Sequence, residues 1–485
     1  MIRLTRLFGL AFAISLLAGV SQGLAAGAGT AHIRWTACPA MPDAPSAAQV
    51  ECGWLSVGAK IGGQPLRLRF AVLRAHPDRH DPNPVLYVPG GPGESAGLDA
   101  AGLVGWQRWQ QRAGWPHDIV LMDPRGTGES RPRIGCSAKP VVPLRAPASP
   151  QADKGFAQEA AIIQHCLDRL GPKGMQALGP GPQIADMYAL LDGLGVDRAT
   201  LWGVSYGTRI AMLFARRYPE RISALVLDSV VPFDRNELAA LPLQIDGAIR
   251  RLQDVCAQVG DCASSAPQRT LAALLARYQR QPPVVALLPY RGLPPLFEIT
   301  PYRLLLMVLF AAYDSGREAD TVARIERALR GETAALVPLA ARVAAQGSSR
   351  SRSAATFWAT RCALDKERAN PALAWQQTLS AMPLIAPYLR HAPQGSVCTQ
   401  WPLPRYQAGN TLPARPMLVL SGEADVLTPP AWGQGFAAAY VSARWIQIAN
   451  AGHAPTLSNP SAMRAAADFL AAPSVGAGAM PQSGR

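Results

Sequence analysis

Two periodicities divide the chain. Short runs of consecutive apolar residues recur toward both ends, at 85–88, 118–123, 199–204, 222–228 and 416–421. They are too short for helices and lack the in-and-out alternation of a half-exposed strand, so they predict strands covered on both faces. The segments 156–170, 184–194, 433–439 and 461–470, and the stretch beyond Gly207, space apolar side chains three and four apart, which predicts helices. Segments 55–60 and 66–73 read as strands paired across a Gly62-Gly63 turn, 445–448 as the last strand, and 36–50 as an irregular arm.

Strands alternating with helices imply an α/β fold with a mostly parallel central sheet flanked by helices. Between 232 and 410 the alternation stops, and helical patterns at 238–259, 270–278, 302–313, 318–329 and 335–345 take over. This stretch reads as an inserted, mainly helical cap. The core is then expected in two parts, 27–231 and 411–472, followed by a small, polar, mobile tail at 473–485.

A length of 485 residues suits a large domain with an insertion, and 49% hydrophobic content against 16% charged excludes global disorder. The net charge of +14 raises the question of nucleic acid or an anionic surface. The basic residues are scattered and form no stripe interleaved with aromatics, so no nucleic-acid partner is expected. At the start, Arg3 and Arg6 precede an apolar run over 7–20 and small residues through Ala25 and Ala26, the pattern of a signal peptide at 1–26. That run is short for a bilayer span, so the mature chain is expected to be secreted or periplasmic, with no stable membrane insertion.

Export places the eight cysteines in an oxidising compartment, and their even number predicts disulfides. Proximity along the chain suggests Cys38 with Cys52, Cys136 with Cys166, Cys256 with Cys262 and Cys362 with Cys398. No C-x-x-C pair and no H-E-x-x-H occurs, so neither a metal nor another cofactor is expected.

The candidate chemistry centres on Gly203-Val204-Ser205-Tyr206-Gly207, which falls where an apolar strand ends and an amphipathic helix begins. In a G-x-S-x-G elbow the serine occupies a strained backbone position with its hydroxyl pointing out of the turn. Ser205 is the candidate nucleophile. A serine hydroxyl needs a base, and the base needs a third group to fix its tautomer and stabilise its charge. His453 follows the last strand and Asp425 the one before it, in the chain order serine, acid, histidine. Glu423 is the alternative acid. The glycine-rich loop at 89–95 follows another strand and leaves N–H groups unshielded. The expected oxyanion donors are the N–H of Tyr206 and that of Gly91, with Gly90 as the alternative. Asp123 and Arg125, on a neighbouring loop, read as braces.

Pro89-Gly90-Gly91-Pro92-Gly93-Glu94-Ser95, Asp123-Pro124-Arg125-Gly126-Thr127-Gly128-Glu129-Ser130, the elbow through Thr208, and Ser421-Gly422-Glu423-Ala424-Asp425 with Gly452-His453 resemble exported bacterial tripeptidyl aminopeptidases. With the prolyl iminopeptidases these form one serine-peptidase family of α/β-hydrolase fold. Relatives carry His where this chain has Pro89. The resemblance implies a substrate with a free amino terminus, from which short peptides or single residues are released. Such an enzyme needs a carboxylate for the substrate ammonium, and the cap is the expected source. Glu237, Asp246, Asp314 and Glu318 all remain open for that role. The same machinery also suits a small ester or a lactone, and a hydrolase scaffold can serve as a non-catalytic binding protein.

Overall fold

The computed structural model describes residues 31–45, 50–76, 78–135, 154–259, 266–288, 290, 293–313, 315–348, 351–365, 371–390, 398, 405–406 and 411–472. The signal peptide expected at 1–26 and the tail at 473–485 lie outside them.

Strands β1 (His32–Thr36), β2 (Val50–Ile61) and β3 (Gln64–Leu73) form an antiparallel meander. β4 (Val85–Val88), β5 (Ile119–Met122), β6 (Ala199–Val204), β7 (Ile222–Asp228), β10 (Met417–Gly422) and β11 (Ala443–Ile448) run parallel to one another. The sheet order is β1-β2-β3-β5-β4-β6-β7-β10-β11, with β3 antiparallel to β5. The strand read at 55–60 extends back to Val50. β1 and α1 (Ala100–Ala113) were not anticipated, because β1 shows no clean alternation and α1 opens on small residues.

The parallel strands are apolar at successive positions because both faces are covered, and neighbouring residues separate into two cores. Leu86, Val88, Leu201, Leu225, Leu227 and Val419 pack beneath α3 (Pro180–Gly193) and α4 (Gly207–Arg217). Val85, Tyr87, Trp202, Val226, Leu418 and Leu420 face α1 and the closing helix Pro460–Ala471. On this second face Trp202 is fully buried, stacks on Trp109 with centroids 5.0 Å apart, and touches Trp115, Trp106 and Tyr87. α2 (Lys154–Gln176) precedes α3.

Between β7 and β10 the chain is mainly helical, as expected. α5 (Glu237–Val259), α6 (Pro267–Arg280), α7 (Pro301–Ala311), α8 (Glu318–Leu329), α9 (Val337–Ser348) and α11 (Pro371–Ser380) enclose a separate core. That core includes Ile245, Leu274, Leu305, Ile325 and Trp375. A small hairpin of β8 (Val284–Ala286) and β9 (Leu296–Glu298) joins it. α10 (Ala354–Asp365) lies within the same stretch of sequence but packs Ala355, Trp358 and Ala359 into the core beneath the sheet.

Cys38–Cys52 and Cys362–Cys398 form disulfides. Cys136 and Cys262, the partners expected for Cys166 and Cys256, lie outside the described residues. No helix among the described residues is long and apolar enough to cross a membrane.

Candidate active site

The parallel strands all end at one edge of the sheet, where their loops converge. At the end of β6 the backbone of Ser205 turns left-handed, with φ 54°. A non-glycine residue held there costs about 1–3 kcal/mol, so surrounding contacts must fix it. The Ser205 N–H donates to the Asp228 carbonyl at 2.8 Å, and the Thr208 hydroxyl donates to the Ser205 carbonyl at 2.6 Å. The flanking glycines are required by space. A Cβ on Gly203 would lie 2.7 Å from the Thr208 Cα, and one on Gly207 would strike the carbonyl of Val88.

The loop after β4 crosses directly over this elbow. A Cβ on Gly90 would sit 3.1 Å from the Ser205 Cβ. Among the described residues, the N–H groups of Gly90 and Gly91 donate to no backbone carbonyl. Tyr206 stands at the amino end of α4, where the helix dipole favours negative charge. The loop bearing Gly90 and Gly91 thus runs against the elbow that carries Ser205 and Tyr206, with Gly90 in contact with the serine.

Asp425 and His453, 28 positions apart in sequence, meet with the carboxylate Oδ2 2.8 Å from Nδ1. Asp425 is buried and accepts further hydrogen bonds from the N–H groups of Leu427 and Thr428, at 2.9 and 3.0 Å. The hydroxyls of Ser229 and Thr428 also donate to it, at 2.9 and 2.6 Å. Glu423, the alternative acid, instead accepts the N–H of Asn450 at 2.8 Å and braces the histidine loop from outside. No hydrogen bond joins the Ser205 hydroxyl to the His453 ring among the described residues, although their loops are linked through Asp228 and Ser229. The Ser229 hydroxyl accepts the N–H of Ala454 at 2.9 Å while donating to Asp425.

Burial works against the charged form of His453, but the Asp425 charge and hydrogen bond outweigh it and hold the imidazole above its ordinary value. Asp425 pays a desolvation cost of the same origin, yet His453 and the donors from Thr428 keep it below the usual carboxylate range. Asp228 sits behind the pair. Burial pushes its carboxyl up to about 7, although Thr456 donates both its N–H and its hydroxyl to one oxygen. Thr456 is tied in turn to the aromatic face, since its hydroxyl accepts the Trp202 indole N–H at 3.1 Å and its carbonyl that of Trp109 at 3.0 Å.

Several supporting residues carried no signal in the sequence. His453 donates its N–H to the carbonyl of Tyr313, a cap residue, at 3.0 Å, and the two rings meet edge to face at 5.4 Å. A Cβ on Gly452 would collide with that carbonyl, so glycine is needed for the approach. The Ser315 hydroxyl reaches the Asn450 carbonyl at 2.6 Å. Thr428 and Ser229, which hold Asp425, are equally unmarked by any motif.

Asp123 accepts the N–H groups of Ala96 and Glu129, at 2.8 and 2.7 Å, joining two loops as a brace. Burial raises its carboxyl to about 7. Arg125 makes a two-pronged ion pair with buried Asp186 and donates to the Ala177 carbonyl at 3.2 Å. Of the cap carboxylates, Glu237 pairs with Arg361 at 2.8 Å, Glu318 with Arg251 at 3.0 Å, and Asp246 with Arg250. Asp314 lies outside the described residues. Among those residues, no three His, Cys, Asp or Glu side chains gather as a metal site would require.

Comparison with known proteins agrees with the topology. A family model described as alpha/beta hydrolase fold matches residues 83–254, and one described as TAP-like protein matches 383–480. The chain is 31% identical to Serine protease Hip1 of Mycobacterium tuberculosis over 48% of its own length and 46% of that protein's. It therefore spans about half the length of this relative. Tripeptidyl aminopeptidase of Streptomyces lividans is 26% identical over 84% of this chain and 78% of the relative. The crystal structure of proline iminopeptidase from Mycobacterium smegmatis aligns over 84% of this chain and 95% of its own, at 15% identity and a TM-score of 0.38.

Proposed function

We infer that this chain, an α/β-hydrolase related to the tripeptidyl aminopeptidases, is an exported serine hydrolase that removes short peptides or single residues from free amino termini. The observation that carries the reading is the 2.8 Å contact between Asp425 and His453 beside a serine held at φ 54°. In this mechanism His453 takes the Ser205 proton, and the Ser205 oxygen attacks the substrate carbonyl carbon. The oxyanion is received by the N–H groups of Tyr206 and Gly91, or of Gly90 in place of Gly91. Collapse of the tetrahedral intermediate breaks the scissile C–N bond as His453 delivers its proton to the departing amine. Water, deprotonated by His453, then cleaves the acyl ester and returns Ser205. Asp425 holds the tautomer throughout and stabilises the imidazolium.

Export is supported by the signal-like first 26 residues and by the disulfides Cys38–Cys52 and Cys362–Cys398, which persist in oxidising compartments. The test is a panel of matched arylamide peptides with free and acetylated amino termini, run beside simple esters. The proposal requires acetylation to abolish most of the activity. Indifference to the block, with esters turned over faster, would make the protein an esterase or lactonase of the same fold.

A further inference from the structure

An ammonium group brought into a partly desolvated cleft needs a charge-assisted hydrogen bond to a carboxylate with a free oxygen. The carboxylates around the elbow differ sharply in this capacity. Asp425 is saturated by five donors, counting His453. Asp228 is fully buried behind Thr456. Glu237 is buried against Arg361, while Glu318 and Asp246 face arginines within the cap.

Glu94 is different. Its side chain folds back onto the oxyanion loop, so that its Cγ lies 3.0 Å from where a side chain on Gly91 would begin. The side chain is 42% exposed, and its carboxylate has one partner among the described residues, Arg352, at 3.3 Å through Oε1. The same loop carries Gly90, where a Cβ would meet the Ser205 Cβ at 3.1 Å, so Glu94 stands four residues from the contact with the nucleophile elbow. Arg352 is carried by a cap segment that pairs with this loop through the backbone. The Ser95 N–H donates to the Ser351 carbonyl at 2.7 Å, and the Ser353 N–H to the Gly93 carbonyl at 2.9 Å. The guanidinium also reaches Gln346, so it is held in place independently of Glu94.

Resting on the aminopeptidase reading above, we propose that Glu94, a core-loop residue, receives the α-ammonium of the substrate on the oxygen that Arg352 leaves open. The sequence pointed to the cap for this role. In the folded chain a carboxylate with spare capacity stands instead on the oxyanion loop. Amine recognition and oxyanion stabilisation are then built into one glycine-rich segment, so a bound amino terminus fixes the acyl carbonyl relative to Gly91. Arg352 contacts one carboxylate oxygen from the cap side and competes with the ammonium for the charge without being required to hold it.

The experiment compares matched nitrophenyl esters of an amino acid and of its des-amino analogue, with wild type, Glu94→Gln, Glu94→Asp, Arg352→Gln and Glu237→Gln. Complete phosphonate labelling of Ser205 in each variant verifies an assembled site. The expected result is a wild-type preference for the amino substrate in kcat/KM. Glu94→Gln is expected to reduce that preference by about tenfold to hundredfold, the loss typical of one charged hydrogen bond. Glu94→Asp should restore part of it, and Arg352→Gln should keep or increase it. A Glu94→Gln enzyme with the wild-type preference overturns the assignment, as does a collapse confined to Glu237→Gln or one shared equally by Arg352→Gln. A wild type with no preference removes the aminopeptidase reading itself, a different failure from the loss of Glu94.

Discussion

The backbone N–H of His453 donates to the carbonyl of Tyr313 at 3.0 Å, so the candidate base is held by the cap as well as by the sheet. Gly452 makes this contact possible. A methyl group there would strike the Tyr313 carbonyl and lie 3.1 Å from the Ser315 nitrogen. Gly452→Ala is expected to shift the histidine loop and lower kcat/KM about a hundredfold, the scale of a 1 Å misplacement. Gly435, in the helix Pro430–Ala438, has open space around it. Gly435→Ala should leave kcat/KM unchanged and add about 0.4–1 kcal/mol of stability in denaturant titration. Equal activity in the two variants would contradict the clasp.

Thr428 donates its hydroxyl to Asp425 at 2.6 Å. Replacing it with Val keeps the shape and removes one charge-assisted donor from the carboxylate. A loss of about tenfold to hundredfold in kcat, with Thr428→Ser near wild type, is the expected outcome of steady-state kinetics. Thr428 is a positioning residue, so its loss should also move the acid limb of the rate profile, which a merely structural defect would not do.

The sign of the acid limb follows from the coupled pair. General-base catalysis needs neutral His453, and the Asp425 charge holds the imidazolium above its ordinary range. The kcat/KM profile should therefore rise with pH through a midpoint above 6.5, the ordinary histidine value. Asp425→Asn should move that midpoint down while lowering kcat about ten-thousandfold. A wild-type midpoint well below 6.5 would contradict the assignment.

Asp228 predicts a pH dependence of stability. Its carboxyl is raised to about 7 by burial, and one of its oxygens has no hydrogen-bond partner. Because the folded value exceeds the unfolded one of 3.8, the folded state holds the proton more tightly. The stability this group contributes is full below the unfolded value and is lost as pH rises through about 7. Asp228→Asn removes the titration, so its melting temperature should gain on wild type between pH 4.5 and 7.5, by an amount equivalent to a few kcal/mol. A difference independent of pH would contradict the burial argument.

What the sequence disclosed and what it hid divide along a physical line. The elbow was legible because Gly203 and Gly207 are demanded by local sterics, and the parallel strands because burial on both faces leaves continuous apolar runs. The acid and histidine loops were legible by their places after the last two strands. Tyr313 was not, since its contribution is a backbone carbonyl and any residue type supplies one. Glu94 was hidden for another reason. It sits inside a motif read for its glycines, and only the return of Arg352 from the cap, far along the chain, reveals its surroundings. α10 was not anticipated, because none of its described side chains is exposed and no polar face marks the helical period.

The most direct test of the account is the site of covalent capture. A peptidyl or fluorinated phosphonate should form one adduct, located by tandem mass spectrometry on Ser205. It should be absent in Ser205→Ala and formed far more slowly in His453→Ala. An adduct on any other residue, or equal labelling of wild type and Ser205→Ala, would contradict the assignment of the nucleophile on which the mechanism stands.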